Sequence, residues 1–163
     1  MGGRVARGAP IVKRGPPSWH ILRFLCADAP PTVGVMSEAR QRMGRAAEAL
    51  VADSLERRGM RIVARNARTS AVRGEIDLIA LDGRALVFVE VKALRVGSVA
   101  GPERPAIAVG HRKRHKLRSL AIAWLRDHDG SVPPHGALRF DVVGLRLDSG
   151  GRAVEWEHLR GAF

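Results

Sequence analysis

The chain has 163 residues, 45% of them hydrophobic, which is enough for one domain with a buried core and short for two. Lys and Arg number 28 against 16 Asp and Glu, and the net charge of +12 indicates a polyanion or an anionic membrane surface as partner. No apolar run approaches the roughly 18 residues of a membrane span, and the single cysteine, Cys26, excludes an internal disulfide, so we expect a soluble cytoplasmic protein.

Residues 1–35 are rich in Gly, Pro and Arg and have no sustained hydrophobic period. We predict a poorly ordered basic arm there, followed by a single domain over residues 36–163. A secretory signal is the rival interpretation, but Arg23 interrupts its apolar stretch. Translation from Met36 is a third alternative, because the organised pattern begins just after that residue.

The first predicted helix covers residues 38–58, with Ser37 as its N-cap and Gly59 as its end. Its apolar positions follow helical spacing and include Met43, Ala47, Leu50, Val51 and Leu55. Residues 60–65 have the composition of a strand, and a polar loop follows.

Residues 74–92 read as a β-hairpin that turns at Asp82-Gly83, which pairs Leu81 with Arg84 and Glu75 with Glu90. One face of this hairpin is wholly apolar and carries Ile76, Leu78, Ala80, Val87, Val89 and Val91. The other face is apolar near the turn and charged at the far end, where it carries Glu75, Asp77, Glu90 and Lys92. A ribbon that is apolar on both faces near its turn is covered on both sides, so the charged groups should lie at the rim of a covered sheet.

The remaining chain predicts a mobile loop over residues 93–110, a helix over 111–128 and strands over 137–147 and 153–159, with one strand and a short tail as the alternative to two strands. The second helix has a basic first half and a buried stripe of Leu117, Leu120, Ala121, Trp124 and Leu125. The order of helix, three strands, helix and two strands indicates a mixed α/β or α+β sandwich.

Carboxylates crowded at one sheet rim are destabilising unless something compensates their charge. Three compensations are open: a raised pKa, a cation such as Lys92 or Arg73, or a divalent metal ion. Glu75 is as readily a salt-bridge partner of Arg73 or Lys92 as an accessory site residue. Glu48, one helical turn beyond Gly44, either borders solvent or completes an oxygen cage, with the glycine leaving room beside it.

The arrangement of Asp77 followed by Glu90-Val91-Lys92 resembles the PD-(D/E)xK nuclease superfamily, with Ile76 in the place of the proline. More narrowly, the chain resembles the YraN-like family of predicted endonucleases. The matching stretches include "GRAAEALVADSLERRG", "RGEIDLIALDGRALVFVEVK", "RKRHKLRSLAIAWL", "RFDVV" and "EHLRGAF". The chain departs from that family at Ala47, usually a glycine, and at Ala93-Leu94, usually Thr-Arg. The implied fold is α/β, a restriction-endonuclease-like core with a small mixed central sheet flanked by helices.

The resemblance implies a metal-dependent endonuclease that hydrolyses phosphodiester bonds of DNA, branched DNA among the candidate substrates. Asp77 and Glu90, with Glu48, would hold Mg²⁺ or Mn²⁺, and Lys92 would orient the attacking water. The nucleic acid would be gripped by basic residues of the second helix, namely Arg112, Lys113, Arg114 and Lys116. Many members of this fold act as dimers, so a homodimer is one expectation for the assembly.

Two other functions compete with hydrolysis. The first is a catalytically silent nucleic-acid-binding module of the same fold, whose binding would be indifferent to metal removal. The second, a protein of the membrane surface, is disfavoured because Trp124 is expected on the buried stripe instead of in a membrane. His111 and His115 have the spacing of a metal pair but no evident third ligand.

Overall fold

A computed structural model describes residues 33–97 and 109–163, with side chains from residue 38 onwards. Residues 1–32 of the predicted arm and residues 98–108 of the predicted loop lie outside these described residues, while residues 33–35 of the predicted arm belong to the first helix. The elements are α1 (Val33–Arg57), β1 (Arg61–Ala67), β2 (Ile76–Asp82), β3 (Ala85–Arg95), α2 (His111–Asp127), β4 (Ala137–Leu147) and β5 (Ala153–Leu159).

The five strands form one mixed sheet in the order β1-β2-β3-β4-β5. Neighbouring strands are antiparallel except β3 and β4, which are parallel and are connected through α2. A parallel pair needs such a crossover, because a short turn can only reverse the chain direction. The predicted α/β class is confirmed: the fold is consistent with a restriction-endonuclease-like core.

The helices cover opposite faces of the sheet, because the central strands alternate apolar side chains between the two faces. On one face, Val87 and Val89 pack with Val51 and Leu55 of α1. On the other face, Leu86 and Phe88 pack with the α2 stripe of Leu117, Leu120, Ala121 and Trp124. The predicted burial of both hairpin faces near the turn is therefore confirmed.

Two predicted boundaries differ most from the structure. Helix α1 begins at Val33, so Ser37 lies inside the helix and does not cap it. Strand β3 continues to Arg95, because residues 85–95 pair along their whole length with β4; the first residues of the predicted loop are thus strand. Parallel pairing with a strand that is remote in sequence cannot be read from local composition.

The predicted hairpin register is wrong by two residues. Asp82 pairs with Ala85, and the turn residues are Gly83 and Arg84, with Gly83 at a φ of 57°. A glycine with positive φ at the first turn position is typical of a type II′ turn. A shift of two keeps each side chain on its face, so the prediction of the two faces survives while the pairing of Glu75 with Glu90 does not.

Asp82 stays in the strand because it belongs to an ion-pair network. Arg139 Nη2 lies 2.8 Å from Asp82 Oδ2, and Arg160 also contacts that oxygen. Arg139 Nε donates to Asp141 at 2.9 Å, and His158 Nε2 lies 2.9 Å from the same carboxylate. The network fixes β2, β4 and the segment after β5 to one another.

Within the described ranges, neither helix is long and apolar enough to cross a membrane. Trp124 is 4% exposed, as the predicted stripe required, and its ring stacks on His128 with centroids 4.4 Å apart. Its indole is therefore not presented to a membrane.

Candidate functional site

Asp77 lies where strands β2 and β3 separate. Their pairing ends at Leu78 and Val89, and one position further the Asp77 Oδ2 accepts a hydrogen bond from the Val91 amide at 2.7 Å. The register places Asp77 across from Glu90, so the two carboxylates approach each other at the rim of the covered sheet. Before Asp77, the side chains of the chain no longer alternate between the two faces of the sheet. Ile76 was predicted to share a face with Leu78 and Ala80, which pack against α1, but it packs on the α2 face.

Glu90 is the buried acid of the site, with only 2% of its side chain exposed. Lys92 Nζ donates to its Oε1 at 2.7 Å. Lys113 Nζ, from the first turn of α2, lies 3.1 Å from its Oε2, although the angles do not make this contact a hydrogen bond. A buried carboxylate is stable only when its charge is compensated, and here two ammonium groups provide that compensation.

The proximity of the two acids shows in the acidity of Asp77. Burial, and next the negative charge of Glu90, raise the pKa of Asp77 from 3.8 to about 7. The Val91 hydrogen bond and the charge of Lys113 oppose this increase and only partly offset it. Asp77 is therefore poised to exchange a proton near neutral pH, which is common at functional sites.

Glu48 reaches the same rim from α1. Burial raises its pKa, a hydrogen bond from the Asn66 side chain lowers it, and the charges of Glu75 and Glu90 raise it. Its Oε2 is buried and has no hydrogen-bond partner among residues 33–97 and 109–163. An unpaired buried oxygen is costly, and it leaves Glu48 with an acceptor that a water, a cation or a substrate hydroxyl can use.

Gly44 lies beside Glu48, as the sequence predicted. A Cβ atom at this position would stand 3.9 Å from Glu48 Oε1, which is an ordinary van der Waals distance. The free protein therefore has room for alanine here. That the glycine leaves space for a ligand beside Glu48 stays a prediction.

Glu75 lies outside the buried pair. It is exposed and forms a salt bridge with Arg68 at 3.2 Å, so neither predicted partner, Arg73 or Lys92, is the one it contacts. It lines a cavity of about 590 Å³ together with Arg68, Arg73, Lys113 and Lys116. This cavity adjoins the carboxylates, because Lys113 also contacts Glu90.

The four residues of α2 that were predicted to contact phosphate lie in different surroundings. Lys113 and Lys116 line the cavity. Arg114 instead donates to the Val109 carbonyl at 2.8 Å and packs on the Phe163 ring, so its guanidinium is engaged within the fold. Arg112 is exposed, as are His111 and His115.

Carboxylates are the groups of this site that could bind a metal ion. In residues 33–97 and 109–163, no three Asp, Glu, His or Cys side chains lie close enough together to hold a metal ion as they stand. The site offers the paired carboxylates of Asp77 and Glu90, with the unpartnered Glu48 oxygen further out. Mg²⁺ commonly binds through one or two carboxylates and completes its coordination with water and phosphate, so the donor set fits that ion.

Sequence reasoning missed two contacts of this site. The approach of Lys113 to Glu90 joins residues that are remote along the chain, and no local pattern indicates it. Asn66, the partner of Glu48, has a φ of 49°, a conformation that asparagine adopts more readily than most residues. Its position in a polar stretch of the sequence weakly indicates this conformation. Nothing in the sequence indicates its contact with Glu48.

Comparison with known proteins covers Glu48, Asp77, Glu90, Lys92 and Lys113. The model of a family described as "Uncharacterised protein family UPF0102" matches residues 47–145. A UPF0102 protein of Streptomyces griseus is 46% identical over 123 residues, which are 76% of this chain and 97% of the relative. A relative from Arthrobacter is 46% identical over 123 residues, again 76% and 97%. One from Anaeromyxobacter dehalogenans is 42% identical over 126 residues, 77% of this chain and 87% of its own.

Proposed function

The chain belongs to the UPF0102 family, as its YraN-like motifs predicted, and we propose that it is a metal-dependent nuclease that hydrolyses phosphodiester bonds of nucleic acid, with DNA as the expected substrate. The observation that carries this proposal is the pair of half-buried Asp77 and buried Glu90, flanked by two lysines at the rim of the sheet. Two acids and a nearby ammonium are the groups that phosphodiester hydrolysis requires.

The protein groups have separate tasks in this mechanism. Asp77 and Glu90 would hold a Mg²⁺ or Mn²⁺ ion, with Glu48 participating through water. The ion would supply a water of lowered pKa and stabilise the charge that develops on the phosphate. Lys92, held against Glu90 Oε1, would orient the attacking water by hydrogen bonding.

Lys113 connects the carboxylates to the substrate. Its ammonium group neutralises Glu90 in the free protein, and 40% of its side chain is exposed. With a metal ion at Glu90, Lys113 would be free to contact a phosphate oxygen in the adjoining cavity. Lys113 would thus neutralise Glu90 before the metal ion binds and a phosphate of the substrate afterwards.

The second candidate function is a nucleic-acid-binding module without catalysis. One observation favours it: both oxygens of Glu90 already face an ammonium group, so the buried charge is compensated without a metal. On this alternative the carboxylates order the lysines, and the lysines bind phosphate. Binding would then be unaffected by EDTA.

The experiment that separates the two functions is a cleavage assay with labelled single-stranded, duplex and branched DNA and with RNA. Mg²⁺ or Mn²⁺ should produce cleavage of at least one substrate, EDTA should abolish it, and E90Q should lower the rate at least 100-fold. E155Q is the matched control, because Glu155 is an exposed glutamate on β5 that pairs with Arg146. Cleavage by E90Q at the control rate would refute the assignment, and metal-independent binding without cleavage would favour the second candidate.

A further inference from the structure

A groove beside the carboxylate pair has features that hydrolysis alone does not require. Residues 68–75, here called the strap, form one wall of this groove, and α2 forms the other. The groove holds the cavity of about 590 Å³ that includes Lys113 at its end nearest Glu90. Any phosphate at the carboxylates would therefore stand at the mouth of the groove.

The strap is fixed at a set distance from α2. Ser70 donates through its amide to Asp127 Oδ2 at 2.7 Å and through its hydroxyl to Asp127 Oδ1 at 2.8 Å. Within the strap, Thr69 Oγ1 donates to the Val72 carbonyl at 3.0 Å and accepts from the Val72 amide at 3.1 Å. These bonds hold the groove open without a ligand, and a pre-formed site avoids an ordering cost on binding.

Cations are concentrated in the groove. Arg68, Arg73, Lys113 and Lys116 line it against one acid, Glu75. Glu75 pairs with Arg68, and Glu90 accounts for Lys113. Over the ranges 33–97 and 109–163, neither Arg73 nor Lys116 has an ion-pair partner, so two positive charges are available to an anion.

Gly74 sets the position of Lys116. A Cβ atom at Gly74 would stand 2.9 Å from Lys116 Cε and 3.1 Å from its Nζ, and the glycine has a φ of 142°. The lysine side chain therefore lies directly on the strap backbone. Its Cε and Nζ lie against the strap at the groove, although the residue as a whole is exposed.

The groove becomes apolar further from the carboxylates. Val72 lines both the basic cavity and a second cavity of about 270 Å³, whose other lining residues include Ile122 and Ala123. The Ile122 side chain is large and 51% exposed. A strip of cations followed by an exposed aliphatic surface matches a backbone phosphate followed by a base.

We propose that the groove between the strap and α2 binds one or two nucleotides of a single-stranded segment that adjoins the phosphate at the carboxylate pair. Cavities of this size enclose a small molecule or a short strand, whereas a duplex could only lie across the opening. Arg73 and Lys116 contact the phosphates, and Val72 with Ile122 contacts a base. The continuation of the strand to a phosphate at the carboxylate pair rests on the proposed function. Its binding in the groove does not.

The test measures binding without cleavage, by fluorescence anisotropy of a labelled dT₁₂ strand in EDTA at 150 mM NaCl. The double variant R73Q/K116Q should weaken dT₁₂ binding at least tenfold and a 12-base-pair duplex less than threefold. The slope of log K against log salt should fall by about 1.4 in magnitude, because each phosphate contact to a single strand contributes about 0.7. The charge-matched control R57Q/R61Q, from α1 and β1, should change either affinity less than twofold.

A second variant reports on the apolar part. I122S should weaken dT₁₂ binding about threefold and leave the salt slope unchanged, since no charge is removed. Equal weakening for duplex and single strand in R73Q/K116Q, or dT₁₂ binding within twofold of wild type, would overturn the inference. So would displacement of dT₁₂ by poly-glutamate as effective as that by unlabelled dT₁₂. Because no metal is present, these results stand whether or not the protein cleaves.

Discussion

Asp77 uses its side chain where a strand would normally use its backbone: its Oδ2 accepts the Val91 amide hydrogen bond at 2.7 Å. The contact anchors the carboxylate beside Glu90 at the point where β2 and β3 part. This hydrogen bond stabilises the ionised carboxylate, but burial and the negative charge of Glu90 outweigh it. The surroundings therefore make the charge of Asp77 a cost to the free protein.

The first prediction concerns this cost. Because the folded pKa of Asp77 is raised from 3.8 to about 7, the folded state retains a proton that the unfolded chain loses. The penalty is absent below pH 4, grows as pH rises and is complete above pH 7. D77N should therefore increase the free energy of unfolding by about 2–3 kcal/mol more at pH 8 than at pH 5.

Urea unfolding at both pH values measures this difference. D53N is the control, because Asp53 is an exposed aspartate on α1 whose partner, Arg65, is 3.9 Å away. An equal effect of D77N at the two pH values would show that the acid is not strained by its neighbours.

The second prediction concerns competition at Glu90. Lys113 Nζ lies 3.1 Å from Glu90 Oε2 and would compete with a metal ion for that oxygen. K113M should tighten Mg²⁺ or Mn²⁺ binding about three- to tenfold, which is about 1 kcal/mol, while weakening nucleic-acid binding. Isothermal titration of the metal alone measures the first effect.

K116M is the matched control for this experiment. Lys116 lies one turn along the same helix and contacts the strap, but it has no carboxylate partner among the described residues. Weaker metal binding in K113M than in K116M would mean that Lys113 supports the metal site instead of competing with it.

The third prediction concerns Gly44. Alanine should stabilise the protein by up to about 1 kcal/mol, because glycine is a poor helix former and the new Cβ would meet Glu48 Oε1 only at 3.9 Å. Thermal unfolding measures the change, and nucleic-acid cleavage should be unaffected. A loss of cleavage activity in G44A would support the prediction that the glycine leaves space for a ligand beside Glu48.

The fourth prediction concerns Asp141, which is fully buried. Burial raises its pKa, but hydrogen bonds from His158, Arg139 and the Gly161 amide outweigh burial and lower the pKa to about 2. The stabilisation is present above pH 4 and is lost as pH falls towards 2. D141N should cost about 2–4 kcal/mol at pH 7 and less at pH 3.

Urea unfolding of D141N checks this dependence on pH, with D53N again as the exposed control. A loss of the same size at both pH values would indicate that shape, and not charge, is what Asp141 contributes.

The fold was predictable where short-range patterns decide it. Strands β4 and β5 have the bounds that the sequence predicted, and the two faces of the hairpin follow from simple alternation. The hairpin register was not predictable, because the ion pairs of Asp82 with Arg139 and Arg160 keep this residue out of the turn that Asp-Gly favours. Contacts between distant residues decided the outcome there.

The candidate site was likewise predictable only where residues close in sequence decide it. The grouping of Asp77, Glu90 and Lys92 followed from residues within one hairpin, and their catalytic roles stay predictions. The approach of Lys113 depends on how α2 packs on the sheet, and the choice of Arg68 as partner of Glu75 depends on the strap. No pattern along the sequence carries either contact.

The central claim, that Asp77 and Glu90 form a metal site, is tested most directly by isothermal titration calorimetry with Mn²⁺ at pH 7.5, comparing wild type with D77N and E90Q. Wild type should bind with measurable heat and release a fraction of a proton, because Asp77, with its pKa raised to about 7, is only partly protonated at pH 7.5. Both variants should show no binding heat, while E155Q binds like wild type. Equal heats from D77N, E90Q and wild type would contradict the claim.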